Sequence, residues 1–292
     1  MTCRGCNLLT VKKAVIPAAG LGTRLLPVTK EMPKEMLPIF VKKDDGRLCL
    51  KPMLQAVFEQ LYDAGFREYA FIVGRGKRAI EDHFSPDEGF IEYLRSKNKA
   101  ELAEELQEFY KKINDSTVVF INQPQPKGFG DAVYQAKVFT RNEPFLLHAG
   151  DDIILSKNND HLKRLMEKFN DYDAEAIFLV EEVEDPRKYG VMVGNEIKSG
   201  IFKVIEVIEK PEEPPSNLAI VALYILKPSI YQAIEKVSSK GGIEVELTDA
   251  VKLLINWGHN VYALKLQRDE RRIDVGSPET YLETLKTIFM GL

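Results

Sequence analysis

The feature that most constrains this chain is a glycine-bearing loop placed directly after a buried strand. Lys13-Ala14-Val15-Ile16-Pro17-Ala18 is a short, mostly apolar run of strand length, and Ala19-Gly20-Leu21-Gly22-Thr23-Arg24 follows at once. In open α/β sheets, ligands bind beyond the carboxyl ends of the strands. Glycines there let backbone N–H groups approach an anion, and a run of such groups makes an anion-binding nest. Arg24 adds a planar cationic fork suited to phosphate oxygens, and Lys34 follows within Pro33-Lys34-Glu35-Met36-Leu37-Pro38. The P-loop pattern is absent, and Leu25 stands where the GxGxxG fingerprint needs a third small residue. On glycines alone, a turn with surface basic residues reads equally well.

The segments beyond the loop alternate between strand-like and helix-like. Pro52 opens a helix whose apolar face is Met53, Leu54, Val57, Phe58, Leu61 and Tyr62, and Gly65 stops it. A strand over Tyr69 to Val73, a short helix over Lys77 to Phe84 and a charged helical insertion over Phe90 to Ile113 come next. Thr117 to Ile121 is a strand, Asp131 to Phe139 a helix and Pro144 to His148 a strand. This rhythm predicts an α/β fold with a mixed, mostly parallel central sheet. In the second half, strand-like runs at 174–181, 191–194, 202–209 and 218–226 follow at shorter intervals, and helices return at 228–237, 247–257 and 278–290.

Composition narrows the function classes. The net charge is −4, a poor basis for general nucleic-acid binding, which neutralises many phosphates. No apolar run approaches the ~18 residues of a membrane helix, and the first residues lack the apolar core of a signal peptide. Three cysteines cannot build a disulfide framework, and Cys3 and Cys6 with Cys49 fall short of the four ligands of a structural zinc site. A cytoplasmic protein is expected, with no membrane and no nucleic-acid partner.

Further candidates lie at later strand ends. Gln123 opens Gln-Pro-Gln-Pro-Lys-Gly-Phe-Gly, and its amide offers one acceptor and two donors. A Pro/Gly loop before a helix explains the same stretch. Ala149-Gly150-Asp151-Asp152 ends the fourth strand, where a carboxylate facing a phosphate loop suits Mg²⁺. Helix capping is the competing reading, and His148 reads as a core residue.

Ala19-Gly20-Leu21-Gly22-Thr23-Arg24, with Pro27, Thr29-Lys30 and Pro33-Lys34-Glu35-Met36-Leu37-Pro38, resembles the signature of the sugar-1-phosphate nucleotidyltransferases. The Lys-Glu-Met-Leu-Pro form resembles their prokaryotic-type UTP–glucose-1-phosphate uridylyltransferase branch, and the similarity runs from Lys13 to near the C-terminus. The resemblance implies a Rossmann-like, glycosyltransferase-A-like fold. It implies Mg²⁺-dependent transfer of UMP from UTP to glucose 1-phosphate, giving UDP-glucose and pyrophosphate. The catalytic set it implies is Arg24, Lys34, Asp151 and Asp274, the last from Ile273-Asp274-Val275-Gly276, with Mg²⁺ on the two aspartates. Ala19, Gly20, Gly22, Gln123, Gly128 and Gly130 would bind the nucleotide. Gly190 of Tyr-Gly-Val, and Glu209 and Lys210 of Val-Ile-Glu-Lys-Pro, would hold the sugar phosphate. Asp131 replaces a common His, Ala222 replaces a usual Gly, and Gly242-Ile243-Glu244 lacks a usual Asp. Thr248 and Asp249 read as first-turn helix residues without chemistry.

Residues 1–10 are read as an extension and 11–292 as one domain, with a nucleotide half to about 155 and a sugar-binding half from about 156. A homodimer or homotetramer is implied by the resemblance. The competing functions are a dTTP-using or broad-sugar relative, a non-catalytic nucleotide-sugar-binding module, and an oxidoreductase. The last rests on Gly74-Arg75-Gly76-Lys77-Arg78-Ala79, which mimics GxGxxA but lacks the later acidic strand end.

Overall fold

The computed structural model describes residues 11–42, 46–239, 241 and 244–291. The expectations for residues 1–10, Cys3 and Cys6 included, and for Gly242 and Ile243 fall outside these. The strands are β1 (Lys13–Pro17), β2 (Pro38–Lys42), β3 (Leu48–Pro52), β4 (Glu68–Val73), β5 (Thr117–Asn122), β6 (Phe145–His148), β7 (Asp152–Leu155), β8 (Ala176–Glu182), β9 (Gly190–Lys198), β10 (Ile201–Glu209), β11 (Leu218–Leu226), β12 (Val261–Lys265) and β13 (Arg271–Asp274). The helices are α1 (Met53–Asp63), α2 (Arg78–His83), α3 (Glu88–Ser96), α4 (Ala100–Asn114), α5 (Phe129–Gln135), α6 (Lys137–Thr140), α7 (Asp160–Asp171), α8 (Ser229–Ser238), α9 (Leu247–Asn256) and α10 (Pro278–Gly291). No helix among the described residues is long and apolar enough to cross a membrane.

The chain divides into two compact units with interleaved segments. One holds the chain up to Val15, Lys127–Ala149 and Ile154–Arg272; the other holds Ile16–Pro126, Gly150–Ile153 and Ile273 onward. The second unit carries the glycine loop. Its β4 and β5 pair in parallel from Glu68↔Thr117 to Val73↔Asn122, and β2 and β3 form an antiparallel hairpin. Residues Tyr69 to Val73 are all buried, as expected for a parallel strand covered on both faces. Phe58 of α1 packs against Tyr69 at 4.7 Å and edge-on to Phe84 at 5.3 Å, so aromatic burial fixes the helix on the sheet.

The other unit carries a mixed sheet in the order β6, β11, β8, β12, β10, β9, with Lys13 to Val15 of β1 parallel to β6. The pairs β11–β6, β11–β8, β10–β12 and β10–β9 are antiparallel, and β12–β8 is parallel. The sheet is therefore mixed as expected: β4–β5 and β1–β6 are parallel among the first-half strands, and β12–β8 adds a parallel pair among the later ones. Among the antiparallel pairs, β9–β10 is a hairpin with a short link: Ser199 and Gly200 alone join the strands, with Gly200 at φ +72°. Such a link permits a hairpin, whereas a parallel pair needs a long crossover.

The charged insertion is helical but not continuous. It breaks between α3 and α4, where Asn98 adopts φ +57°. Leu94 on α3, and Ala103, Phe109 and Ile113 on α4, bury one side of the pair and leave the charges outside.

Candidate active site

In the unit that carries the glycine loop, two backbone anchors set the geometry. Ala18 N–H donates to Ile72 carbonyl at 2.8 Å, which ties the end of β1 to β4. Gly150 N–H donates to Pro17 carbonyl at 3.1 Å, so the turn carrying Asp151 is held on the same strand end. Thr29 Oγ1 donates to Gly22 carbonyl at 2.7 Å and closes the loop. Lys34 opens a single 3-10 turn and ion-pairs with Asp151. A Cβ on Gly20 would lie 3.5 Å from Lys34 Cε, so the loop backbone and the ammonium stem are neighbours.

Asp274 reaches this place from the end of β13. Val275 N–H donates to Asp151 carbonyl at 3.1 Å, and a Cβ on Gly276 would lie 3.0 Å from both Asp274 carboxylate oxygens and 3.4 Å from Arg24 Nη2. Four predicted residues, Arg24, Lys34, Asp151 and Asp274, are thus gathered beside Gly20, with Gly22 in the same closed loop. Ala19 is buried in the loop floor. Burial works against the Lys34 charge, but Asp151, Glu35 and Asp274 outweigh it and hold the ammonium above its ordinary range. Gln123 follows β5 in the same unit; its N–H donates to Val73 carbonyl at 2.7 Å and its side chain is buried.

The other unit gathers the second set. Gly190 begins β9, Glu209 ends β10, and the register places them opposite each other. Lys210 turns away at φ +38°, and its N–H donates to Tyr189 carbonyl at 3.0 Å. Its ammonium lies 2.8 Å from Glu209 Oε1 and 3.6 Å from Glu246 Oε1. Thr248 Oγ1 donates to Glu209 Oε2 at 2.7 Å. A Cβ on Gly190 would sit 3.1 Å from that same carboxylate oxygen and 3.1 Å from the Thr248 hydroxyl. Any side chain at position 190 would therefore press on both polar groups. Burial, reinforced by Glu209, pushes the Glu246 carboxyl up, while Lys210 opposes the shift.

Gly128 and Gly130 stand against another segment of this unit. Gly130 N–H donates to Val245 carbonyl at 2.8 Å, Val245 N–H donates to Lys127 carbonyl at 2.7 Å, and a Cβ on either glycine would fall 2.7 Å from Val245 oxygen. Ala222 lies on β11 where its register with β8 shifts, between Ile220 and Tyr224.

Sequence reasoning passed over three groups. Thr248 looked like a helix-start residue, and its bond to Glu209 spans 39 positions that no local motif links. Glu35 sits inside the quoted signature, yet its side chain turns into the core and pairs with Lys77 at 2.8 Å. Lys77 itself appeared as the start of a short helix and in a glycine motif considered for a dinucleotide. No local signal marked either residue, because Glu35 follows Lys34 and Lys77 lies between Arg75 and Arg78.

The donor set at Asp151 and Asp274 is all oxygen, which fits a hard cation such as Mg²⁺. Among the described residues, no group of three or more His, Cys, Asp or Glu could hold a metal ion.

Known proteins resemble this chain along nearly its whole length. The family described as "Nucleotidyl transferase" matches residues 13–289. A UTP--glucose-1-phosphate uridylyltransferase of Pseudomonas aeruginosa is 36% identical over 287 residues, covering 97% of each chain. One of Streptococcus pyogenes is 39% identical, covering 94% of this chain and 87% of the other. Among solved structures, a UDP-glucose pyrophosphorylase complexed with UDP-glucose is 31% identical with a TM-score of 0.80, over 97% of this chain and 100% of that one. A UTP-bound UGPase from Acinetobacter baumannii is 28% identical with a TM-score of 0.82, over 97% and 94%.

Proposed function

This chain belongs to the nucleotidyl transferase family, and on that premise we propose that it transfers UMP from UTP to glucose 1-phosphate, giving UDP-glucose and pyrophosphate. The observation that carries the reading is the gathering of Arg24, Lys34, Asp151 and Asp274 beside the glycine loop. An oxygen of glucose 1-phosphate attacks the α-phosphorus of UTP in line, and pyrophosphate leaves. The nucleophile is already anionic, so no strong general base is needed. The barrier is repulsion between polyanions and the charge that shifts to the leaving group. Positioning and fixed positive charge lower it.

Each group then has a task. Arg24 holds the β- and γ-phosphates, and Ala19, Gly20 and Gly22 line the phosphate loop. Lys34 leaves Asp151 for the α-phosphate and stabilises charge there. Gln123 pairs with the uracil edge, with Gly128 and Gly130 shaping the nucleotide loop. Glu209 accepts from hexose hydroxyls beside Gly190, and Lys210 aligns the attacking phosphate.

Members of this family generally use a divalent metal. In this chain we assign Mg²⁺ to Asp151 and Asp274, where it would neutralise phosphate charge shared by the two substrates. The reading includes one catalytic domain over 11–292, assembled as a homodimer or homotetramer in the cytoplasm.

The decisive experiment is a matrix of UTP, dTTP, CTP and ATP against several sugar 1-phosphates, read by pyrophosphate release with Mg²⁺. Release is expected with UTP and glucose 1-phosphate above all other pairs. Equal or faster release with dTTP would move the assignment to a thymidylyl relative, and no release with any pair would leave a binding module.

A further inference from the structure

We propose that Lys77 is a positioning residue for the transfer reaction: by neutralising the buried Glu35, it leaves the Lys34 ammonium directed at Asp151. Lys34 and Glu35 are consecutive residues of one 3-10 turn, so the Glu35 carboxylate is the first anion available to Lys34 inside the protein. The Glu35 side chain is 1% exposed and that of Lys77 6% exposed, and they meet at 2.8 Å. In so dry a place an unpaired carboxylate would attract any cation within reach. Lys77 meets that demand, and Lys34 ion-pairs with Asp151 instead.

The surroundings tie this pair to the reactive groups. A Cβ on Gly150, the residue before Asp151, would lie 3.4 Å from Glu35 Cγ, so the Glu35 stem underlies the turn that carries Asp151. Lys77 is delivered by the turn after β4: its N–H donates to Gly74 carbonyl at 3.2 Å, and Gly76 adopts φ +82°. Gly74 packs on the phosphate loop, with a Cβ there 3.4 Å from Ala19 carbonyl oxygen. A buried ion pair contributes little net stability, because desolvation offsets the attraction. Its place behind Lys34 and Asp151 gives it a different role. The proposal rests on the reading that Lys34 and Asp151 serve the phosphate chemistry.

The test uses the full chain with Lys77→Met, Lys77→Gln and Lys77→Arg. Kinetics are read by pyrophosphate release. Acetylation of Lys34 by acetic anhydride, read by mass spectrometry, needs no substrate. Lys77→Met is expected to lower kcat at least about tenfold with KM for UTP little changed, a split that marks lost transition-state stabilisation. Lys34 should also be acetylated more slowly than in the wild type, because it is drawn inward to Glu35. Lys77→Arg should restore both. Should Lys77→Met fail to fold, Lys77→Gln keeps a donor for Glu35 without the charge and carries the same expectation. A folded variant with wild-type kcat, or with faster Lys34 acetylation through general loosening, overturns the proposal. If the wild type releases no pyrophosphate, the functional reading fails, while the acetylation rates still decide whether Lys77 governs Lys34.

Discussion

At Lys34, a single ammonium sits between a core carboxylate behind it and the Asp151 carboxylate in front. Its side chain is 17% exposed, so its charge acts in a poorly screened place. Lys34→Ala should lower kcat by ~10²–10³, the usual loss for one preorganised charge donor. Its melting temperature should move far less than its turnover; near-wild-type kcat would remove Lys34 from the mechanism. Thr248 makes a second case. Its hydroxyl fixes one oxygen of Glu209, and a hydrogen bond to a charged group is worth ~1.5–3 kcal/mol. Thr248→Val should raise KM for glucose 1-phosphate about tenfold or more and leave KM for UTP nearly unchanged, as steady-state kinetics would show. Glu209 was legible in the sequence because it lies in a contiguous motif with Lys210. Thr248 was not, because only the fold brings the start of α9 to the end of β10.

Among the elements, the loop that starts α5 is shaped by close backbone approach. A Cβ on Gly130 would fall 2.7 Å from Val245 oxygen and 3.1 Å from Leu247 nitrogen, and neither is a flexible side-chain tip. Gly130→Ala should therefore destabilise the fold by ~1–3 kcal/mol, the range for overpacking, with a matching drop in denaturant midpoint. An unchanged midpoint would mean that the 244–246 segment yields freely. Elements with a strong period were legible: β1, α1, β4, β5, α8 and α9 lie where their apolar patterns put them. The β2–β3 hairpin was not, since Leu48 and Leu50 stay exposed and no alternating buried face marks it. Nor was α7, although Leu162, Leu165 and Phe169 recur at helical spacing, because its charged residues dominate the composition. The antiparallel second half was hidden for a related reason, since strand patterns do not state a partner's direction.

For the whole molecule, the candidate residues are sorted by unit except Gly128 and Gly130, which belong to the nucleotide set but lie in the unit of the sugar set. Arg24, Lys34, Gln123, Asp151 and Asp274 belong to one, and Gly190, Glu209, Lys210 and Thr248 to the other. The net charge of −4 averages over this sorting and reveals nothing of the local cations. Global stability carries its own titration. His161 is fully buried, with Ser156 Oγ 2.6 Å from its Nδ1. Burial above all, then repulsion from His148 and Arg164, lowers its pKa to about 3 from the ordinary 6.5. Between those values the unfolded chain binds a proton that the folded chain refuses. Stability from this group therefore rises with pH across the window and is lost as pH falls below about 6.5, at up to ~1.4 kcal/mol per unit. Urea unfolding from pH 7.5 to 4.5 should show a steeper loss for the wild type than for His161→Gln; identical slopes would exclude His161 as the source.

The interleaving of the units has a consequence for inheritance. The chain passes between them five times, at 15/16, 126/127, 149/150, 153/154 and 272/273. A gene fragment ending at 126 would carry the glycine loop and Gln123 but lose Asp151 and Asp274, which return in two later segments. No single crossover can exchange sugar recognition while keeping the phosphate machinery whole. Moving Gly190, Glu209, Lys210 and Thr248 together into a related chain takes two crossovers, one on each side of the 154–272 segment.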